Sequence, residues 1–241
     1  MNSKTFGEWL RQSLLFINRD PIVWLGYTLF MGIILVLGRI SLALGIFLAV
    51  IFLFVGVGIA RYIDTVKTEQ RISLIWAIQK SLPLAILAAI TILIGWFILM
   101  SIAAIYSGDL YKIVHFFFHW QFTPDNLNHK SSRELAGWVY GYANVVLIVT
   151  LLMMTTFASW FSHSLMLFKN YSWTKAKEIG NQAVSIHQSA LYKLLAFILF
   201  EAILCTSITP LLTPVLYMLT SSLLYVSYQS IFNQSNSINI Q

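Results

Sequence analysis

The sequence is poor in cysteine and in charge, and each shortage excludes a class of protein. Cys205 is the only cysteine among 241 residues, so the chain has no internal disulfide and no metal site built from cysteines. Charged residues make up 10% of the chain, whereas soluble domains carry about 25%. This shortage argues against a soluble globular protein, and Cys205 is expected to pack as a small apolar side chain.

The short motifs that mark common enzymes are missing as well. The chain has no Gly-x-Ser-x-Gly elbow, no phosphate-binding Gly-Lys-Ser/Thr loop and no His-Glu-x-x-His. No basic stretch is interleaved with aromatic residues in the way that stacks nucleobases, so nucleic acid is not an expected partner. We therefore expect a protein that is not an enzyme and needs no cofactor.

Long apolar runs are what the sequence has instead. Hydrophobic residues make up 58% of the chain, and a membrane span needs about 20 mainly apolar residues. The runs predict an all-α membrane protein with one transmembrane domain over residues 1–228 and a polar tail over 229–241. The six predicted spans are 22–38, 42–60, 82–106, 141–164, 191–208 and 211–228, with an outer loop at 107–136.

Lysine and arginine are distributed unevenly around these spans. Loops rich in these cations stay on the cytoplasmic side of a membrane, so the asymmetry predicts that both termini are cytoplasmic. The eleven cations on the predicted cytoplasmic side are Lys4, Arg11, Arg19, Arg61, Lys67, Arg71, Lys80, Lys169, Lys175, Lys177 and Lys193, and the four on the outer side are Arg39, Lys112, Lys130 and Arg133.

A weak repeat links the spans into three helical-hairpin units. Each odd-numbered span follows a stretch with helical periodicity, and a helix with one apolar and one charged face tends to lie in the headgroup layer. The alternative is that these helices pack beneath the bundle. Their apolar faces comprise Phe6, Trp9, Leu10, Leu14 and Ile17 in the first stretch, Ile72, Ile75 and Trp76 in the second (71–80), and Trp173, Ala176, Gly180, Ala183 and Val184 in the third.

Two stretches resemble a known family. The first comprises Trp9-Leu10, Leu15-Phe16, Arg19-Asp20-Pro21 and Trp24-Leu25-Gly26, and the second runs from Trp160-Phe161 through Ala176 to Ala183. They resemble a family of uncharacterised six-helix bacterial inner-membrane proteins, which have a domain of unknown function. The resemblance implies a location in the bacterial inner membrane and a six-helix architecture, and it implies no chemistry.

Glu201 is the one acidic residue deep inside a predicted span. Ten residues of helix from Leu191 place it near the bilayer centre, where an ionised carboxylate is costly and a neutral, hydrogen-bonded acid is expected. Two roles stay open. Glu201 is either an intramembrane proton or ion site that faces a cavity, or it makes a packing hydrogen bond to a group such as Asn144, Tyr217 or Ser222.

Histidines supply the other candidate sites. His115 and His119 are four residues apart and would share one face of a helix, and His129 and Asp125 follow in the same outer loop. Three imidazoles and a carboxylate could hold a divalent metal, although the aromatic residues around them also fit a membrane-interface segment. His163, near the cytoplasmic end of the fourth span, is expected to snorkel or to form a hydrogen bond.

These features leave three hypotheses about function. The favoured one is a non-enzymatic scaffold or accessory subunit in the lipid bilayer, with a membrane-protein partner or a second copy of itself. The alternative is a transporter of small solutes, ions or protons that uses Glu201. A membrane-embedded enzyme is the third, and the least supported, because Glu201 and a few hydroxyls are the only intramembrane groups that could build its site.

Overall fold

The computed structural model describes residues 5–66, 73–117 and 123–232, apart from the side chains of Asn126 and Leu127. All regular structure in these ranges is helical. The α-helices in chain order are α1 (Phe6–Ile17), α2 (Pro21–Val36), α3 (Leu42–Val66), α4 (Leu74–Ser107), α5 (Tyr111–Phe117), α6 (Pro124–Asn128), α7 (Ser132–Met153), α8 (Ser162–Lys169), α9 (Trp173–Ile186), α10 (Gln188–Ser207) and α11 (Thr213–Phe232).

Six helical segments are long and apolar enough to cross a membrane. This confirms the predicted all-α fold with six membrane-length helices. Because each backbone N–H and C=O inside a helix is paired within the segment, a helix can cross hydrocarbon without leaving polar groups unsatisfied. The segments are Pro21–Arg39, Leu42–Val66, Leu74–Ser107, Ser132–Ala158, Gln188–Ser207 and Pro210–Phe232.

Helices α3 and α11 form the centre of the bundle. In the most apolar 18-residue stretch of each, 72% of the residues are buried, compared with 17% in α4. Helix α11 packs against α3, α1 and α2, and α4 lies along α3. The exposed sides of α2, α4 and α10 are apolar, as expected where hydrocarbon rather than water covers the surface.

Hydroxyl groups along α11 fasten it to its neighbours. In a bilayer, close packing and hydrogen bonds between helices hold a bundle together, because lipid supplies no hydrophobic drive for helices to associate. Three such bonds reach distant parts of the chain: Trp9 Nε1 donates to Ser230 Oγ (2.8 Å), Trp160 Nε1 donates to Ser227 Oγ (3.1 Å), and Ser221 Oγ donates to the Leu53 carbonyl (2.9 Å).

Helix α1 packs against the bundle and keeps an apolar edge exposed. It begins with a capping box in which Thr5 and Glu8 each satisfy the other's backbone N–H. Trp9 is fully buried, whereas Leu14 and Leu15 are 54% and 58% exposed. The predicted apolar face is therefore divided between the bundle and the surface. The location of α1 in the headgroup layer stays a prediction.

The stretch before the third span differs from the prediction of a separate interfacial helix. The Ser73 hydroxyl caps α4 by accepting the Trp76 N–H at 3.2 Å, and the helix then runs unbroken to Gly108, whose φ of +71° suits glycine. Pro83 lies inside this helix, which membrane spans tolerate when neighbouring groups satisfy the freed carbonyl. The first residues of the predicted stretch lie outside the described part of the chain.

The fourth membrane-length helical segment is Ser132–Ala158, whereas the predicted span is 141–164. Ser131 and Glu134 form a capping box that starts α7. The last turn widens into a π-helix over Met154–Ala158, and the extended backbone of Ser159 then ends the run. The apolar sequence continues past this break into α8, so hydropathy alone does not show where the helical run ends.

The helix bounds differ from the limits predicted for the outer loop and the C-terminal tail. Residues 108–131 connect the third and fourth spans and contain α5 and α6, whereas the predicted loop was 107–136. Phe116 of α5 is buried, with its ring centroid 5.6 Å from that of Phe97. Helix α11 extends to Phe232, so residues 229–232, predicted as the start of the tail, are helical.

Candidate functional site

Glu201 lies on the edge of the buried face of α10. Ile198 and Ala202 beside it are buried, whereas Phe200 and Ile203 are 58% and 53% exposed, and Glu201 itself is half-buried. Helix α10 packs mainly against α7 and α11. The carboxyl group therefore sits at the boundary between the bundle and its surface, rather than on the axis between α3 and α11.

The three groups that were predicted to pair with Glu201 donate elsewhere. Their hydrogen bonds satisfy hydroxyls and carbonyls of the neighbouring helices, and none of them reaches the carboxyl group. Asn144 Nδ2 donates to Thr206 Oγ1 (2.9 Å) and Thr213 Oγ1 (3.1 Å), Tyr217 Oη donates to the Ala143 carbonyl (2.6 Å), and Ser222 Oγ donates to the Ser13 carbonyl (3.4 Å).

The outer-loop histidines are only partly described. His115 of α5 stacks edge-on against Tyr111, with ring centroids 4.0 Å apart, and His129 is exposed after α6. His119 lies outside the described residues. Within the described ranges, no group of three or more His, Cys, Asp or Glu side chains could hold a metal ion. A metal site that includes His119 stays a prediction.

A polar cluster at the C-terminal end of α3 was not predicted from the sequence. The Asp64 carboxylate accepts hydrogen bonds from Tyr225 Oη and Gln229 Nε2, both at 2.8 Å, and Arg19 Nη1 lies 3.4 Å away. Charge-assisted bonds of this kind are stronger than neutral ones. The cluster joins α3 to α11 and to the turn before α2, so we assign it a structural role.

The feature best suited to a ligand is a cavity of about 320 Å³ beside α8. Part of its lining comes from α4, between Leu84 and Ile92, and part from the π-helical turn at Met154–Ala158. Phe54 of α3 and His163 of α8 also line the cavity. The lining is completed by Met153, Ser159, Met166 and Trp173. The cavity is therefore a mainly apolar groove with a few polar side chains, His163 and Ser159 among them.

His163 lines this cavity and has no hydrogen-bonding partner among the described residues. The residue is 8% exposed, and its ring stacks on Phe54 with centroids 4.1 Å apart. Neither ring nitrogen forms a hydrogen bond within the described residues. The expectation that His163 snorkels or forms a hydrogen bond is therefore wrong. Burial lowers the pKa of the imidazole to about 3, so at neutral pH the ring carries one N–H donor and one acceptor nitrogen.

The break after the fourth span brings His163 to this position. In the π-turn the hydroxyls of Thr155 and Thr156 bond to carbonyls of the preceding turn, a local alternative that often bends a helix. Ser159 follows in an extended conformation, and its buried Oγ also lacks a partner. A π-turn inside a span frequently marks a functional site.

A second apolar groove offers a direct comparison. It has a volume of about 380 Å³ and lies between α2, α3 and α4, where Val23, Gly26 and Phe30 contribute to its lining. Tyr27 is among its lining residues, and the Tyr27 hydroxyl donates to the Phe52 carbonyl at 2.9 Å. Two grooves of similar size therefore differ in whether a polar group at the wall has a partner.

Comparisons of the chain with protein-family models, with curated proteins and with solved structures found no match. The resemblance to the six-helix inner-membrane family therefore stays a prediction. What the protein can do chemically follows from the geometry of its own side chains.

Proposed function

We propose that the protein is a non-enzymatic, multi-pass protein of the bacterial inner membrane that acts as a scaffold or accessory subunit. Its partner would be another membrane protein or a second copy of itself. The six membrane-length helices account for most of the described chain. The distribution of Lys and Arg supports cytoplasmic termini.

The observation that carries this proposal is the closed centre of the bundle. The hydroxyls of Tyr27 and Ser221 donate to carbonyls of α3, both at 2.9 Å, and the hydroxyl of Tyr217 donates to a carbonyl of α7 at 2.6 Å. These polar atoms are engaged with the protein's own backbone. A bundle fastened in this way suits a rigid platform better than a pathway whose polar atoms must exchange partners with a solute.

The transporter alternative has weaker support from the surroundings of Glu201. A transport site is expected near the bilayer midplane, in a polar cavity between helices that have broken segments. Glu201 lies within the unbroken helix α10 and at its half-buried edge. Each of four cavities in the described part of the chain is lined by other residues.

Affinity purification in mild detergent tests the scaffold role. The tagged chain and its Glu201→Gln variant should each retain the same membrane protein, or a second copy, in stoichiometric amount. The opposite result would be a monodisperse monomer that drives pH-dependent solute uptake into liposomes and loses that uptake on Glu201→Gln. That outcome would replace the scaffold by a transporter.

Cysteine labelling in intact cells tests the orientation. Cys205 is buried, and Cys205→Ala removes it as a background. Ile75 and Leu110 are 68% and 60% exposed near opposite ends of the third span. A membrane-impermeant maleimide should label Leu110→Cys and leave Ile75→Cys unlabelled until the cells are opened. The reverse pattern would invert the proposed topology.

A further inference from the structure

The cavity beside His163 combines a mainly apolar lining with hydrogen-bonding groups. Met154 and Phe157 contribute to the apolar wall, whereas His163 and Ser159 both line the cavity and both carry buried polar atoms without a partner in the described chain. Ligand sites generally have this composition, with apolar walls and a few polar groups that fix orientation.

Three of the residues that line the cavity are exposed on membrane-length segments. Leu87 and Thr91 of α4 are exposed, and so is Phe157 of the π-turn. All three residues line the cavity and belong to membrane-length segments. A molecule dissolved in the hydrocarbon can therefore reach the cavity between these residues.

Size and charge restrict what the cavity can hold. Its volume of about 320 Å³ is about twice that of an engineered apolar cavity of about 150 Å³ that binds benzene. None of its described lining residues is Lys, Arg, Asp or Glu. An ionised headgroup would thus be buried without a counter-charge, which is strongly unfavourable.

We infer that this cavity binds an uncharged membrane amphiphile, with its hydrocarbon chain along the π-turn and its hydroxyl or carbonyl group against His163 and Ser159. The imidazole can donate to a carbonyl oxygen through its N–H and accept from a hydroxyl at its other nitrogen. The Ser159 hydroxyl can do either. This inference is independent of the scaffold role.

If His163 served only to stack on Phe54, a residue without polar ring atoms would suit the position better. Stacking on Phe54 at 4.1 Å would be served equally by a phenyl ring, which would leave no polar atoms unpaired. A buried polar group without a partner destabilises the fold. An occupant that hydrogen-bonds both ends of the imidazole removes that deficit, whereas a bare alkane does not.

Photolabelling of the full chain in lipid nanodiscs tests the inference. The probe is a monoacylglycerol with a diazirine in its chain, and the reference probe is an alkane of equal length with the same diazirine. Mass spectrometry of the labelled peptides should place the monoacylglycerol on residues 153–158. Unlabelled monoacylglycerol and unlabelled prenyl alcohol, added separately, show whether an acyl or an isoprenoid chain competes better.

Three variants make the result specific. Ala88→Phe fills the cavity from α4 and should reduce labelling of residues 153–158 to background. Gly26→Phe fills the comparison groove, where a new Cβ meets nothing within 4 Å, and should leave that labelling unchanged. His163→Phe should keep the chain in place and reduce the preference for monoacylglycerol over alkane about tenfold, the equivalent of one hydrogen bond.

Each outcome decides for or against the site. Size-exclusion profiles show which variants fold, and His163→Phe remains informative if Ala88→Phe does not. The inference is overturned if residues 153–158 of the unmodified chain label no more with monoacylglycerol than with alkane. It is also overturned if folded Ala88→Phe labels as strongly as the unmodified chain.

Discussion

Replacement of Gly56 by alanine tests the close approach of α3 and α11. An alanine Cβ at this position would lie 2.7 Å from Ser221 Cβ and 2.9 Å from the Tyr27 hydroxyl. Both distances are shorter than real Cβ contacts. Ser221 is held in place because its Oγ donates to the Leu53 carbonyl at 2.9 Å, so it cannot move aside without loss of that bond.

The expected loss of stability follows from three contributions. Overpacking of a well-filled core costs about 1–3 kcal/mol. Breaking the hydrogen bond of Ser221 adds about 1 kcal/mol. Alanine in a helix interior regains about 1 kcal/mol relative to glycine. The net expectation for Gly56→Ala is a loss of about 1–3 kcal/mol in the free energy of unfolding.

Titration of the purified protein from mild detergent into sodium dodecyl sulfate measures this loss. Gly26→Ala is the matched control, because a Cβ at Gly26 meets nothing within 4 Å, and it should be neutral or slightly stabilising. The double variant Gly56→Ala with Ser221→Gly transfers the small residue to the other helix and should recover part of the loss. Equal stability of Gly56→Ala and Gly26→Ala would refute the packing described for α3 and α11.

Three further predictions use the same titration. The pKa of His163 falls from 6.5 in the unfolded chain to about 3 in the fold. Stability is therefore highest above pH 6.5 and falls as the pH drops toward 3, because protons bind the unfolded chain first. On going to about pH 5, the free energy of unfolding of the unmodified chain should fall by about 2 kcal/mol, and that of His163→Phe should not. Asp64→Ala leaves the hydrogen-bond donors of Tyr225 and Gln229 without their acceptor, and it should lower the free energy of unfolding by about 2–3 kcal/mol. Asp64→Asn should have a smaller effect. Glu201→Gln should change stability and membrane insertion by less than about 0.5 kcal/mol, because the carboxyl lies at the edge of the bundle.

The six spans could be predicted because hydrophobic length is a local property of the sequence. The end of the fourth span could not, since the apolar run continues from Ala158 into Trp160 and Phe161 while the backbone breaks at Ser159. The start of the fourth span could have been predicted from the sequence. Ser131 and Glu134 match the Ser-x-x-Glu spacing of a capping box, a signal that marks a helix start more sharply than hydropathy does.

The candidate site was beyond sequence reasoning for a different reason. Glu201 attracted attention because an acid is conspicuous in an apolar run, yet its environment depends on how α10 is rotated against α7. His163 looked ordinary because its stacking partner, Phe54, is far away in the sequence. The absence of a hydrogen-bonding partner is a property of the packed bundle, and periodicity along a single helix carries no information about it.

The two apolar grooves show where discrimination between occupants would arise. In the groove beside Tyr27, the hydroxyl is satisfied by the Phe52 carbonyl at 2.9 Å, so a hydrocarbon chain there gains only dispersion contacts that any lipid provides. In the cavity beside His163, each unpaired polar atom leaves a deficit of about 1–3 kcal/mol. Only an occupant with a hydrogen-bonding group can remove that deficit. Selectivity for a polar occupant over an alkane should therefore reside in His163 rather than in the apolar walls.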